Sequence, residues 1–244
     1  MRLIRIYVPG PLRAGTTARL EGAAAAHVSR VLRLRAGDPL VLFNGDGRDY
    51  AGTVSTLRGD QVEVEVASST TGLPDSPLEL TLAQGVARGE RMDLVIQKAT
   101  ELGVSRIVPL LTERSVVRLA GDQGGRKLDH WRAVAIAACE QCGRSRLPVI
   151  DAPRTLEEWL AAPDAPACRV LLAPAAPQPL RTVAPPSSAV AVLIGPEGGL
   201  TGAERASAIA SGYEPRSLGP RILRTETAAL VALAVLQSSA GDLR

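Results

Sequence analysis

The sequence predicts an α/β protein in which a small β barrel precedes a larger domain built on a parallel sheet. Three observations carry this expectation. Up to Ala67, short apolar or alternating runs are separated by Gly and Asp turns, the pattern of a small barrel. From Leu78 onward such runs alternate with segments of helical period, and strand–helix–strand order requires parallel strands. Near the C-terminus two apolar runs break directly into glycine or proline loops, IGPEGGLT from Ile194 to Thr201 and LGPRILRTETA from Leu218 to Ala228.

Strands of the first domain are expected over Arg2–Val8, Arg30–Leu34, Pro39–Phe43, Asp49–Thr56 and Gln61–Ala67. In the last of these Val62, Val64 and Val66 alternate with Glu63 and Glu65, which gives one face to a core and one to water. The Ser/Thr/Gly/Pro stretch Ser68–Pro77 reads as a linker, dividing the chain into residues 1–72 and 73–244. The second domain then opens with a strand, Leu78–Ala83. A helix follows, with Met92, Val95, Ile96, Ala99 and Leu102 on one face and Gly103 at its end, and the strand Arg106–Leu111 completes a βαβ unit. Lys127–Cys142 reads as a helix, and Val170–Ala173 and Ala189–Ile194 as further strands.

The two glycine loops are the candidate ligand site. Thr201 and Glu204 form a T-x-x-E capping box, so the first loop runs from a strand into a helix. Gly195, Gly198 and Gly199 remove side chains where a ligand can lie against the main chain, and Glu197 is the only charge in the turn. In the second segment, Ser217-Leu218-Gly219-Pro220 ends a strand, and Thr225 or Thr227 can cap a helix whose body, Ala228–Leu236, is apolar on every side. Such a helix is expected to be buried all round, as a core helix or as half of a subunit interface. Arg221, Arg224 and Glu226 between strand and helix suit a polar substrate.

Composition narrows the classes. The 244 residues suffice for two modest cores, and a net charge of +3 with a pI near 9.0 permits an anionic partner without a polycationic coat. Only Lys98 and Lys127 of the 28 basic residues are lysines, so arginine abundance alone says little about phosphate recognition. Lys98 and Glu101 are spaced to pair along a helix. Neither a G-x-G-x-x-G after the first strand nor a P-loop is present. Cys139 and Cys142 form a C-x-x-C, but with Cys168, His27 and His130 as the other soft ligands no metal site is expected, and its place at a helix end disfavours redox chemistry. The N-terminus MRLIRIYVPG lacks the apolar core of a signal peptide, and no apolar run approaches the ~20 residues that span a bilayer. A cytoplasmic location is expected.

IGPEGGLT with LGPRILRTETA resembles the C-terminal signature of the bacterial 16S ribosomal RNA uridine-N3 methyltransferases, the RsmE family of the knotted SPOUT superfamily. The resemblance extends over nearly the whole chain. QKATELGVSRIVPLLTERSV, from Gln97 to Val116, is similar to the segment opening the family's catalytic domain, ACEQCGR, from Ala138 to Arg144, to its E-Q-x-x-R helix end, and HVSRVLRLRAGDPLVLFNGDG, from His27 to Gly47, to its PUA-like RNA-binding domain. Departures are small: Cys142 stands in place of a small polar residue, and Leu200 where an aromatic residue or leucine is usual.

The resemblance implies a deep trefoil knot, S-adenosylmethionine as cofactor, a homodimer, no metal, and 16S rRNA in an assembled small-subunit particle as substrate. Carried over residue by residue, it implies a cofactor site of Leu172 and Ala173, of Ile194, Gly195, Pro196, Glu197, Gly198 and Gly199, and of Leu218, Gly219, Ile222 and Leu223. Loss of the N3 proton spreads negative charge onto the uracil oxygens, which Arg224, or secondarily Arg221, can stabilise, with Glu226 orienting an arginine or assisting proton removal; an Arg224–Glu226 ion pair is the structural alternative. Arg5, Arg30, Arg33 and Arg35 are candidate phosphate contacts, and Glu140, Gln141 and Arg144 can meet RNA, a second subunit or water. The competing readings are a ribose 2′-O-methyltransferase of the same superfamily and a non-catalytic dimeric RNA-binding protein.

Overall fold

The computed structural model describes residues 4–59, 61–115, 123–163, 165–183 and 188–243. The chain divides into two compact units, one running to Asp75 and including Ile136–Leu147, the other comprising Ser76–Ala135 and the residues from Pro148.

The first unit contains β1 (Arg5–Tyr7), β2 (Thr16–Leu20), α1 (Gly22–Ala26), a π-helical turn (His27–Val31), β3 (Pro39–Phe43), β4 (Arg48–Arg58) and β5 (Gln61–Thr71). One mixed sheet runs β1-β3-β4-β5-β2, with β1 parallel to β3 and the other pairs antiparallel. The valines of β5 face inward as their alternation requires, packing with Ile6, Leu40, Leu42 and Val54. Arg30–Leu34 is not a strand. Val28 and Leu32 stand four apart, a helical spacing, and both join this core, while Ser29 Oγ donates back to Ala25 O at 2.8 Å as in a helix. β2, three of whose five residues are exposed, gave no apolar signal in the sequence. The expected linker is also shorter than Ser68–Pro77, because β5 continues through its Ser/Thr tail to pair Thr71 with Arg48. A Ser-Ser-Thr-Thr run on an exposed hairpin sustains a strand as well as it sustains a linker.

The second unit contains β6 (Glu79–Gly85), α2 (Glu90–Glu101), β7 (Arg106–Leu111), α3 (Gln123–Cys142, whose end belongs with the first unit), β8 (Val149–Ile150), β9 (Arg154–Thr155), α4 (Leu156–Leu160), β10 (Cys168–Leu172), a 3₁₀ turn (Leu180–Thr182), β11 (Ala189–Ile194), α5 (Gly202–Ala210), β12 (Glu214–Arg216) and α6 (Thr225–Ala240). Every strand pair is parallel, in the order β12-β10-β11-β6-β7-β8, with β9 also on β7. Successive residues serve opposite cores: Leu82 and Val192 pack with α2 and α6, Ala83 and Leu193 with Trp159 of α4 and Ala208 of α5. This double burial is why these strands read as continuous apolar runs.

α6 differs from expectation in two respects. Its N-cap is Arg224, with no side-chain cap, and Thr225 is drawn into a buried network instead. Ala229, Ala232, Leu233 and Leu236 are buried, but Leu230, Val231 and Ala234 on the opposite side are only partly covered, so this chain alone does not enclose the helix. Near its end, buried Gln237 donates Nε2 to Leu102 O at 3.0 Å, beyond the last turn of α2, and accepts from Ser76 Oγ at 2.6 Å. Gln237→Leu strands both partners, and a loss of about 1–3 kcal/mol in urea unfolding is the expected result.

Candidate functional site

Because β10, β11 and β12 are parallel neighbours, the segments that follow them leave the same edge of the sheet. Together they line a cleft of about 1030 Å³. From the first segment come Leu172 and Ala173, from the second Ile194, Gly195, Pro196, Glu197 and Gly199, and from the third Leu218, Gly219, Ile222 and Leu223, with Arg221, Arg224 and Glu226 beside them. Gly198 is the exception among the expected ligand residues. It points away from the cleft: a Cβ there would lie 3.1 Å from Arg114 Cβ, and Arg114 Nη1 donates to Gly198 O at 2.9 Å.

The glycine loop owes its shape to main-chain crowding. The Gly199 N–H closes a turn on Pro196 O at 2.8 Å, and Gly199 has φ +65°, where a side chain is strained. A Cβ on Gly195 would lie 2.8 Å from Leu200 N, and one on Gly85 2.5 Å from Pro196 Cδ. The predicted capping box then starts α5: Thr201 Oγ1 accepts from the Glu204 N–H at 3.2 Å and Glu204 Oε2 from the Thr201 N–H at 2.8 Å. Glu204 Oε1 also accepts from the Glu113 N–H at 2.8 Å. The loop is tied to α6 by Thr225, whose hydroxyl donates to Gly195 O at 2.7 Å and accepts from buried Gln84 Nε2 at 2.9 Å. That use of the hydroxyl explains why it does not cap its own helix.

Charge is arranged around the cleft's open side. Arg221 and Arg224 are exposed, and neither side chain makes a hydrogen bond or ion pair among the described residues. Glu226 is buried and its partner is Arg91, not Arg224. Arg91 Nη1 donates to Glu197 Oε1 at 2.9 Å, and its Nε stands 3.9 Å from Glu226 Oε1, so one guanidinium joins the glycine loop to the start of α6. Burial would raise the Glu197 pKa, but the Arg88 N–H, its own N–H and the Arg91 guanidinium together hold it below the usual carboxylate value. Sequence reasoning missed Arg91, along with Arg205 and Arg216 of the cleft wall. One signal was available: an arginine in the first turn of a helix opposes the helix dipole and needs local carboxylates to justify it.

The candidate RNA-contacting residues separate into two groups. Arg30, Arg33 and Arg35 are exposed on and after the π-helical turn, Arg33 in the left-handed region at φ +54°, and Val31 beside them is 67% exposed. Gln141 is exposed as well. Arg5, by contrast, forks onto Asp49 at 2.6 and 2.9 Å, reaches Ser145 Oγ at 3.0 Å, and stands over the Phe43 ring at 5.0 Å. Its guanidinium is committed within the first unit, a fact hidden from the sequence because Asp49 lies 44 positions away. Glu140 accepts from the Tyr7 N–H at 3.0 Å, and burial, the larger influence, raises its pKa against the lowering effect of that bond. Arg144 is half-buried, with Nη2 3.9 Å from Asp75. Lys98 and Glu101 do pair, at 2.8 Å. Cys139, Cys142 and Cys168 form no disulfide, and no cluster of three metal-ligating side chains is found among the described residues. No helix among them is long and apolar enough to cross a membrane.

Comparison with known proteins gives a consistent result. The RNA methyltransferase domain model matches residues 74–237, and the RNA methyltransferase PUA domain model matches residues 20–67. The ribosomal RNA small subunit methyltransferase E of Buchnera aphidicola subsp. Schizaphis graminum is 31% identical over 99% of this chain and 98% of its own length. Its Bacillus subtilis counterpart is 30% identical over 93% and 92%. Among solved structures, a methyltransferase from Legionella pneumophila in complex with the bound cofactor SAM is 41% identical, with both chains covered completely and a TM-score of 0.95. The ribosomal RNA small subunit methyltransferase E of Neisseria gonorrhoeae, bound to S-adenosyl methionine, is 34% identical, again with complete coverage, and has a TM-score of 0.91.

Proposed function

From the premise that this chain belongs to the ribosomal RNA small subunit methyltransferase E family, we propose that it methylates N3 of a uridine in the decoding region of 16S rRNA, using S-adenosylmethionine. The observation that carries this reading is the cleft: a glycine loop that exposes main chain, apolar walls, and two exposed arginines at the rim. Its residues fit the cofactor. Leu172, Ile194, Leu218 and Leu223 offer apolar surface to an adenine ring, and Ile222, 86% exposed, is a large side chain left open for such a contact. The polar main chain around Gly195 and Gly199 can read the ring's edge. We place the three cleft-lining segments in a trefoil knot, and residues 1–72 in the role of a PUA-like RNA-binding domain ahead of a catalytic domain at 73–244.

When bound, S-adenosylmethionine supplies an electrophilic methyl group, so much of the acceleration comes from aligning uridine with it. The chain's own residues deal with the proton and the charge. Arg224, and secondarily Arg221, faces the uracil oxygens as they gain negative charge. Glu226 orients an arginine, which is Arg91, or assists proton removal. Arg30, Arg33, Arg35 and Gln141 are the RNA contacts this reading keeps, while Arg5, Glu140 and Arg144 serve the first unit's own packing.

The reaction takes place in the cytoplasm on an assembled small-subunit particle, and the enzyme acts as a homodimer through the half-covered stripe Leu230, Val231 and Ala234. Leu230→Glu is expected to yield a monomer in analytical ultracentrifugation at micromolar concentration, and an active monomeric wild type would refute the obligate dimer. The reaction itself is tested by its product. A methyl group on N3 blocks the Watson–Crick edge and stops primer extension, and nucleoside mass spectrometry identifies 3-methyluridine. A ribose-methylated nucleoside would replace this reading with 2′-O-methylation, and no methylation of rRNA in any form would leave a binding protein.

A further inference from the structure

Glu226 presents a problem that the fold alone does not solve. Its carboxylate lies in the cleft wall, its side chain is only 11% exposed, and Oε1 faces Arg91 Nε at 3.9 Å. Oε2 is shut off from water and has no hydrogen-bond partner among the described residues. A buried carboxylate oxygen without a donor is costly, and a site that keeps one gains when a ligand brings the donor in. The proposed substrate carries such a donor. Uridine has an N–H at N3, whereas cytidine has a bare lone pair there, which a carboxylate repels. Resting on the uridine reading above, we propose that the Glu226 carboxylate accepts the N3–H of the target uridine and takes that proton, and that Arg91, whose Nε stands 3.9 Å from Oε1, is the positioning residue that holds the carboxylate in place.

One contact then serves selection and chemistry. The N3–H bond breaks and its proton passes to the Glu226 carboxylate. The electron pair left on N3 forms the bond to the methyl carbon, and the pair of the broken methyl–sulfur bond stays on sulfur. The proton leaves Glu226 for water as product departs. Arg91 suits its role because it is held independently by Glu197, at 2.9 Å, and so stays in place when substrate enters. Arg224 remains the group facing the oxygens; it lies exposed at the N-cap of α6, two residues before Glu226.

The test uses the full-length enzyme and 16S rRNA transcripts, free and assembled into small subunits, made with uridine or with 5-fluorouridine, whose N3–H is more acidic. Glu226→Gln keeps the shape and removes the base. With uridine its turnover is expected to fall by about 10²- to 10⁴-fold, the usual span for a lost general base. With 5-fluorouridine most of that loss is expected to be recovered, because the proton no longer needs strong help. Arg91→Ala shows the same selective recovery from a smaller loss, and rates are compared at saturating S-adenosylmethionine, with the affinity of each variant read by calorimetry. An equal loss on both transcripts in a variant that still binds cofactor overturns the proposal, since a structural defect is blind to imide acidity. Glu226→Asp provides the check on folding should the Gln variant fail to express: a shorter carboxylate that loses turnover equally on both transcripts while still binding cofactor has the same overturning force. Wild-type enzyme that makes no 3-methyluridine refutes the uridine-N3 reading itself, a result distinguishable from every outcome for the variants.

Discussion

Arg224→Ala is expected to lower kcat by about 10²- to 10³-fold while leaving the affinity for S-adenosylmethionine nearly unchanged, the loss typical of removing one donor to a developing oxyanion. The structural alternative for this residue was an ion pair with Glu226, and that carboxylate is turned to Arg91 instead. Arg224 is left exposed at the cleft without a partner among the described residues. A guanidinium held in no ion pair contributes little to folding, so its removal should cost little stability. Its interaction with substrate strengthens only as N3 loses its proton and charge moves to the oxygens, and an interaction of that kind shows in kcat rather than in binding. Steady-state kinetics together with calorimetry separate the two. Turnover at the wild-type rate removes Arg224 from the mechanism, and a parallel loss of cofactor affinity reassigns it to the cofactor. Arg221→Ala, at the same rim, provides the comparison: the larger kcat effect identifies the arginine that faces the uracil.

Elements of the second unit were legible where one physical signal dominated. The strand Ala189–Ile194 and the capping box at Thr201 stand where the sequence puts them, because a strand buried on both faces must be apolar throughout and a T-x-x-E at a helix start has few competing uses. Failures came where a residue's role depends on a distant partner. Thr225 looked like a cap, but Gln84, 141 positions away, and Gly195 claim its hydroxyl. Arg5 looked like a phosphate ligand, but Asp49 and Ser145 hold it. Arg30–Leu34 looked like a strand because a short apolar run does not distinguish period two from period four, and Val28 and Leu32 settled the matter by packing. The cleft itself was partly readable: the loops announced themselves through glycine and proline. Arg91 did not, because its significance lies in two carboxylates more than a hundred positions downstream.

Among alanine substitutions in the glycine loop, the strongest effect on cofactor binding is expected at Gly195. A Cβ on Gly195 would lie 2.8 Å from Leu200 N and 2.9 Å from Gly199 C, and these obstacles are main chain, fixed by the turn and by the capping box beyond it. The loop must therefore open. Gly195 O is also the acceptor for Thr225, so a shift there loosens the start of α6 on the opposite wall of the cleft. At Gly198 a Cβ meets Arg114 Cβ at 3.1 Å, a tight contact on the side away from the cleft, and at Gly199 it meets nothing within 4 Å, so the cost there is the strain of φ +65°. Gly195→Ala is thus expected to weaken S-adenosylmethionine by about 10- to 100-fold, corresponding to roughly 1–3 kcal/mol of misfit, and Gly198→Ala by much less. Thermal unfolding with and without cofactor reads the same quantity, since saturation at a hundred times Kd adds about 2.7 kcal/mol to a protein that binds only when folded. Gly199→Val tests the cleft from its other side: its side chain projects into open space that the ligand is proposed to fill, so it should block binding while leaving the apoprotein folded. Undiminished affinity in both Gly195→Ala and Gly199→Val would mean that the cofactor does not lie against this loop, whatever else the cleft holds.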